Sequence, residues 1–301
     1  MKLLNLFMLA SFFCATPLAA KVKVVTTTED LAALAREVAG DSAEVSSIAR
    51  GYQDPHFVEA KPSYLLKLKK AGLFIQVGLE LEAGWAPALL TSARNPGILP
   101  GKPGFMDASE GCEILEKPSG GVDRSLGDVH PLGNPHYWLD PGNGRLIARA
   151  IARRLSVIDP DKAEKYKANL AAFEERLSGK EKEWDTAAAP LKGVKVVTYH
   201  NSWPSFARRF GLEVVDFVEP KPGIPPSPAH IHALIGRIRA EGVRLLLVEP
   251  YFDQKLPKKV AAEAGIPLVI LPPSVGGEEG IKTYFGLFDR QLELLRKAGG
   301  K

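Results

Sequence analysis

The sequence predicts an α/β protein built of two doubly wound parallel-sheet lobes joined by one long rigid helix, with a cleft between the lobes. Three observations predict it. Short β-branched runs alternate with amphipathic segments in both halves of the chain, the pattern of strand–helix–strand units and parallel sheets. A continuous, highly charged helical stretch separates the halves. The length of 301 residues exceeds the usual size of one domain. The expected division is residues 21–158 for the first lobe, 159–190 for the linking helix and 191–301 for the second lobe.

In the first half, Val22 to Thr26 reads as a strand, and Thr28 caps a helix through Leu31, Leu34 and Val38 that ends near Gly40. Ala43 to Ile48 is a second strand. Pro62 opens a helix that Gly72 closes, Leu73 to Val77 is a third strand, and Trp85 to Ala93 a further helix. From about Asn95 to Gly144 the chain is rich in Gly and Pro and is predicted as loop, with helical periodicity resuming at Leu146 and Ile147. Pro160 to Ala188 reads as one helix dense in Lys and Glu, with apolar marks at Tyr166, Leu170, Phe173 and Leu177. Its polarity predicts a solvated bridge between lobes, not a core element.

The second half alternates more cleanly. Strands are expected at Val194 to Tyr199, Glu213 to Val218, Leu245 to Val248 and Leu268 to Leu271. The helices between and after them are Ser202 to Phe210, Ser227 to Ala240, Lys255 to Ala264 and Ile281 to Ala298. In such folds ligands sit beyond the carboxyl ends of the strands, so two facing lobes make a binding cleft.

Composition narrows the function. A hydrophobic fraction of 45% with 25% charged residues is ordinary globular usage and excludes a disordered or polytopic membrane chain. A net charge of +4 is too weak for a nucleic-acid surface, so no nucleic-acid partner is expected. Lys2, the apolar run Leu3 to Phe13 and the small-residue end Leu18-Ala19-Ala20 read as a signal peptide, 1–20, cleaved after Ala20. The protein is therefore expected in the periplasm. Phe12 and Phe13 before Cys14 disfavour a lipid anchor, and Cys112, left alone, can form no intrachain disulfide.

Six histidines are present. His56 follows Gln53-Asp54-Pro55 after the second strand, and His136 follows Asn134-Pro135 ahead of Tyr137-Trp138-Leu139-Asp140-Pro141. The prolines hold both loops stiff, which suits metal ligands. His200 ends the strand Val194 to Tyr199 and faces the expected cleft. Three neutral imidazoles from two lobes would make most of a tetrahedral zinc site. His230 and His232 stand two apart on a helix, point to different faces and are expected on the surface. His130 is expected to be an ordinary loop histidine, with support of a ligand from behind or weak capture of metal near the cleft mouth as the alternative.

With these residues in place, the chain resembles the zinc and manganese solute-binding proteins of metal ABC importers. The resemblance rests on Asp54-Pro55-His56 with Glu59 and Pro62, the block Asn134 to Pro141, the long helix, Tyr199-His200 and Val248-Glu249-Pro250. It implies a metal held between the lobes by His56, His136 and His200, with a membrane permease and the metal ion as partners and a monomer as the assembly. Members with histidine at the third position are typically zinc binders, so Zn2+ is the expected cargo and Mn2+ the alternative. The chain departs from the family in one respect. An aspartate often follows the strand corresponding to Leu268 to Leu271, but here the residues are Leu271-Pro272-Pro273-Ser274. Glu249, water or another group must then take the fourth position, and Glu249 could equally be structural. The acidic, His-rich loop of some zinc members is absent as well.

The expected function is capture of zinc and delivery to the permease, without catalysis. The alternatives are manganese or iron uptake, an adhesin without transport, and a secreted zinc hydrolase using Glu249 as base. No HExxH helix, Gly-x-Ser-x-Gly elbow or P-loop supports an enzyme.

Overall fold

The computed structural model describes residues 20–120 and 130–299. The signal-peptide expectation, with Cys14, falls outside those residues apart from Ala20. Thr28 Oγ1 accepts from Leu31 N and opens α1, Glu29–Ala39, which follows β1, Val22–Thr26. Gly40 ends the helix at φ 55°, a conformation that costs glycine little. The first half continues with β2 (Ala43–Ser47), α2 (Pro62–Lys69), β3 (Leu73–Gln76), α3 (Ala86–Ser92) and β4 (Phe105–Asp107). Next come α4 (Pro141–Ile158) and α5 (Ala163–Ala188). The second half runs β5 (Lys195–Thr198), α6 (Pro204–Phe210), β6 (Glu213–Phe217), α7 (Pro228–Glu241), β7 (Leu245–Val248), α8 (Lys255–Ala264), β8 (Leu268–Ile270) and α9 (Tyr284–Gly299).

Two four-stranded parallel sheets result, ordered β2-β1-β3-β4 and β6-β5-β7-β8. The topologies are identical, so the loops after corresponding strands occupy corresponding places at each sheet's carboxyl edge. Strand β4 corrects the expectation of loop throughout 95–144. Three residues are too few to show alternation, and Gly104 enters the strand so close to Gly97 that a Cβ there would lie 2.5 Å from its carbonyl oxygen.

The long helix also differs from expectation. It is not a solvated strut, because Tyr166, Phe173, Leu177, Trp184 and Ala188 are buried along one side. These residues pack α5 against α1, α4 and α9. Polar groups fasten the same faces. Asn169 donates to the Val38 carbonyl (2.9 Å), Arg145 pairs with Glu181 (2.6 Å), and Trp184 Nε1 donates to Asp289 (2.8 Å). The largest apolar cluster therefore runs without a break from Leu34 of α1 through Phe173 of α5 to Phe288 of α9 and Leu247 of β7. Separate clusters cover the far face of each sheet, under α2 and α3 in one and α7 and α8 in the other.

Candidate metal centre

Two of the histidines are placed by the same short-range device. In Asp54-Pro55-His56, Asp54 Oδ1 accepts the backbone N–H of His56 (3.0 Å) and lies 2.7 Å from its Nδ1. In Asn134-Pro135-His136, Asn134 Oδ1 accepts the His136 N–H (3.0 Å) and lies 3.1 Å from Nδ1. A side-chain oxygen two residues upstream thus fixes both the turn and the ring. The proline between keeps the preceding residue out of the helical region. Asn134 is itself held across the cleft by donating to the Asn201 carbonyl (2.9 Å). His200 comes directly after β5 and Tyr199, its carbonyl accepting from Thr198 Oγ1 (2.8 Å). Its Nδ1 faces Glu219 Oε2 at 2.8 Å, and Glu219 is positioned by its own N–H donating to the Tyr199 carbonyl (3.0 Å).

The three rings converge. Ring centroids are 5.3 Å apart for His56 and His136, 5.4 Å for His56 and His200, and 5.6 Å for His136 and His200. One nitrogen from each lies within 4.8 Å of the others. Because every Nδ1 is committed to an oxygen, the converging atoms are the Nε2 atoms. His136 Nε2 is buried and has no hydrogen-bond partner. An orphaned buried acceptor of this kind costs free energy unless something occupies the space before it. Anchoring Nδ1 on oxygen turns each Nε2 toward the shared centre, as metal-ligating histidines require.

Electrostatics separate the rings. Burial, reinforced by the neighbouring imidazoles, pushes the His136 pKa well below the usual histidine value. Burial likewise lowers His130, to about 4. Burial pulls His200 the same way, but Glu219, Glu249 and Asp54 outweigh it and the net shift is upward. Asp54 is held below the usual carboxylate range, its own burial outweighed by His56.

Glu249 does not join the cluster. It is fully buried, and its Oε1 accepts from Trp203 Nε1 at 2.9 Å. Burial raises its pKa to about 7, against the pull of His200. The segment Leu271 to Ser274 turns its polar backbone elsewhere, with the Pro272 and Pro273 carbonyls accepting from Gln291 (2.8 Å) and Trp138 (3.1 Å). His130 departs from the expectation of an ordinary loop histidine, for its Nε2 stands 3.3 Å from His56 Nε2. Together with His136, His200, Glu116 and Asn201 it lines a cavity of about 60 Å³. His232 is exposed, and His230 Nε2 lies 3.0 Å from the Phe217 carbonyl oxygen, apart from the cluster as expected. Sequence reasoning missed Asp54, Asn134 and Glu219 as the partners of the rings. The repeated Asx-Pro-His pattern carried the signal for the first two. The chemistry of the assembled groups is that of a nitrogen-rich, partly dehydrated cation site. Glu116, among the described residues the one carboxylate lining the cavity, is engaged by Asn134 (3.1 Å) and Asn201 (2.8 Å).

Comparison with known proteins gives a consistent picture. The family model described as zinc-uptake complex component A, periplasmic, matches residues 24–298. The manganese ABC transporter substrate-binding lipoprotein PsaA of Streptococcus pneumoniae is 30% identical over 289 residues, covering 93% of this chain and 90% of its own length. The zinc-binding protein AdcA of Streptococcus pyogenes serotype M6 is 27% identical over 92% of this chain, which spans 56% of that protein. Among solved structures, the crystal structure of ZnuA superposes with a TM-score of 0.77 at 25% identity, covering 93% of this chain and 100% of that one.

Proposed function

We propose, from the premise that this chain belongs to the family of periplasmic zinc-uptake complex component A proteins, that it captures Zn2+ between its lobes and delivers it to a membrane permease. That membership makes it a substrate-binding protein of a metal ABC transporter. The zinc assignment is supported by one observation above others: His56, His136 and His200 bring ring nitrogens within 4.8 Å of one another, each ring anchored by an oxygen on its far side. Imidazole nitrogen suits borderline-soft zinc, whereas manganese favours oxygen donors. In this reading Glu249 acts from behind His200 as a buried charge and takes no direct place on the metal. The first lobe extends over 21–158, the linking helix over 159–190 and the second lobe over 191–301. The mature protein begins after Ala20, works in the periplasm as a monomer and performs no chemistry on its cargo. Among the described residues no helix is long and apolar enough to cross a membrane.

Capture needs no large closure. The ion itself ties loops from the two sheets together, and release requires the permease to pull those loops apart. Competitive titration of metal-free protein with a chromophoric chelator, run with Zn2+ and with Mn2+, tests the assignment. Zinc is expected to bind at least about a hundredfold tighter, as the general affinity order and the donor set both require. Equal or tighter manganese binding would transfer the function to manganese uptake, the metal named for PsaA.

A further inference from the structure

Metal capture by three histidines leaves a tetrahedral ion one donor short. Glu249 is tied through Oε1 to Trp203 and stands outside the trio, although its buried Oε2 has no partner, and the chain after β8 is engaged by Gln291, Trp138 and Asp30, whose Oδ1 accepts the Val275 N–H (2.9 Å). His130 approaches the same place from the chain ahead of Asn134, where Gly133, at φ 109°, donates its N–H back to the His130 carbonyl (3.2 Å). Its Nε2 lies 3.3 Å from His56 Nε2. A tetrahedral zinc with nitrogens at about 2.0–2.1 Å has nitrogen–nitrogen edges of roughly 3.3–3.4 Å.

The protons make the contact more telling. The His56 Nδ1 is taken by Asp54 (2.7 Å), and the His130 ring also makes a hydrogen bond to the backbone of Leu79. When each ring carries its proton on Nδ1, both Nε2 atoms present lone pairs to each other, an arrangement that a shared cation stabilises. The cavity of about 60 Å³ that His130 shares with His136 and His200 adjoins this point.

We propose that His130 is a fourth ligand to the captured ion, giving an all-imidazole site in place of the carboxylate-containing one. The assignment rests on the metal-capture reading above. His130 stands outside the tight trio, on the His56 side, so binding draws it inward by a shift of the chain before Gly133. Four neutral nitrogens make the site more selective for zinc against manganese than three histidines with a carboxylate would be.

The test compares wild-type protein with His130→Ala and His130→Gln, with His136→Ala as the control for the trio. Zinc affinity is measured by chelator competition, and the visible spectrum of the Co2+ form is recorded with and without azide. Both His130 variants are expected to lose zinc affinity by at least about tenfold, with a smaller change for manganese. Their cobalt spectra should become azide-sensitive, because a coordination position has opened. Unchanged zinc affinity with an azide-insensitive cobalt spectrum in both variants would overturn the His130 assignment while leaving capture by the trio intact. A wild type that binds zinc no better than His136→Ala would overturn the capture reading and this assignment with it.

Discussion

At the scale of single residues, the site works through what stands behind each ring. Asp54, Asn134 and Glu219 hold three Nδ1 atoms, so the entropy of orienting the ligands is spent in folding, before metal arrives. Glu219→Gln is expected to weaken zinc binding by roughly 10–100-fold without unfolding the protein, measured by competitive titration. The same variant carries a pH signature. His200 is pushed above its ordinary value, Glu219, Glu249 and Asp54 outweighing burial, so protons compete with zinc for its ring up to a higher pH than for a free imidazole. Zinc affinity should therefore rise with pH through and somewhat above the imidazole range near 6.5. Glu219→Gln, which removes the hydrogen-bonded charge, should move that rise to lower pH.

At the scale of elements, α5 carries the heaviest duty. Trp184 is buried against Phe288, with ring centroids 5.0 Å apart, and its indole N–H is bound to Asp289. Trp184→Ala should cost about 3–5 kcal/mol, read by denaturant unfolding, through the cavity left. Much of this level was legible in the sequence. The Thr28 and Ser227 caps and the prolines opening α2 and α7 mark helix starts where the structure has them, because capping is chemistry local to a few residues. What depended on distant partners was not legible. The sparse apolar stripe of α5 is buried because α1, α4 and α9 meet it. Val218-Glu219-Pro220 and Val248-Glu249-Pro250 follow the strands on either side of β5, and nothing local says which glutamate the His200 ring turns toward. The ring turns to Glu219.

At the scale of the whole molecule, contacts between the halves are many and buried. Tyr284 Oη donates to the Trp138 carbonyl (2.6 Å), and a Cβ on Gly51 would lie 1.8 Å from the Val275 carbonyl oxygen. Together with the continuous core through α5, this confines motion to small tilts and loop shifts. Asp30 sits in the same seam, fully buried, with Oδ2 unpartnered. Burial raises its pKa from 3.8 to about 7. Between those values the folded protein holds a proton that the unfolded chain has lost, so Asp30 makes stability fall as pH rises from about 4 to about 7. Asp30→Asn keeps the acceptor for Val275 and removes the charge. Its stability relative to wild type should improve between pH 4 and pH 8, by an amount bounded by roughly 4 kcal/mol, as measured by urea unfolding of metal-free protein. A difference independent of pH would show that Asp30 is not protonated in the fold.

The most direct measurement is anomalous diffraction at the zinc edge from crystals of protein loaded with one equivalent of Zn2+. The account predicts a single peak about 2.0–2.1 Å from Nε2 of each of His56, His136 and His200. A peak elsewhere on the molecule, or one that leaves these three rings unliganded, would contradict it.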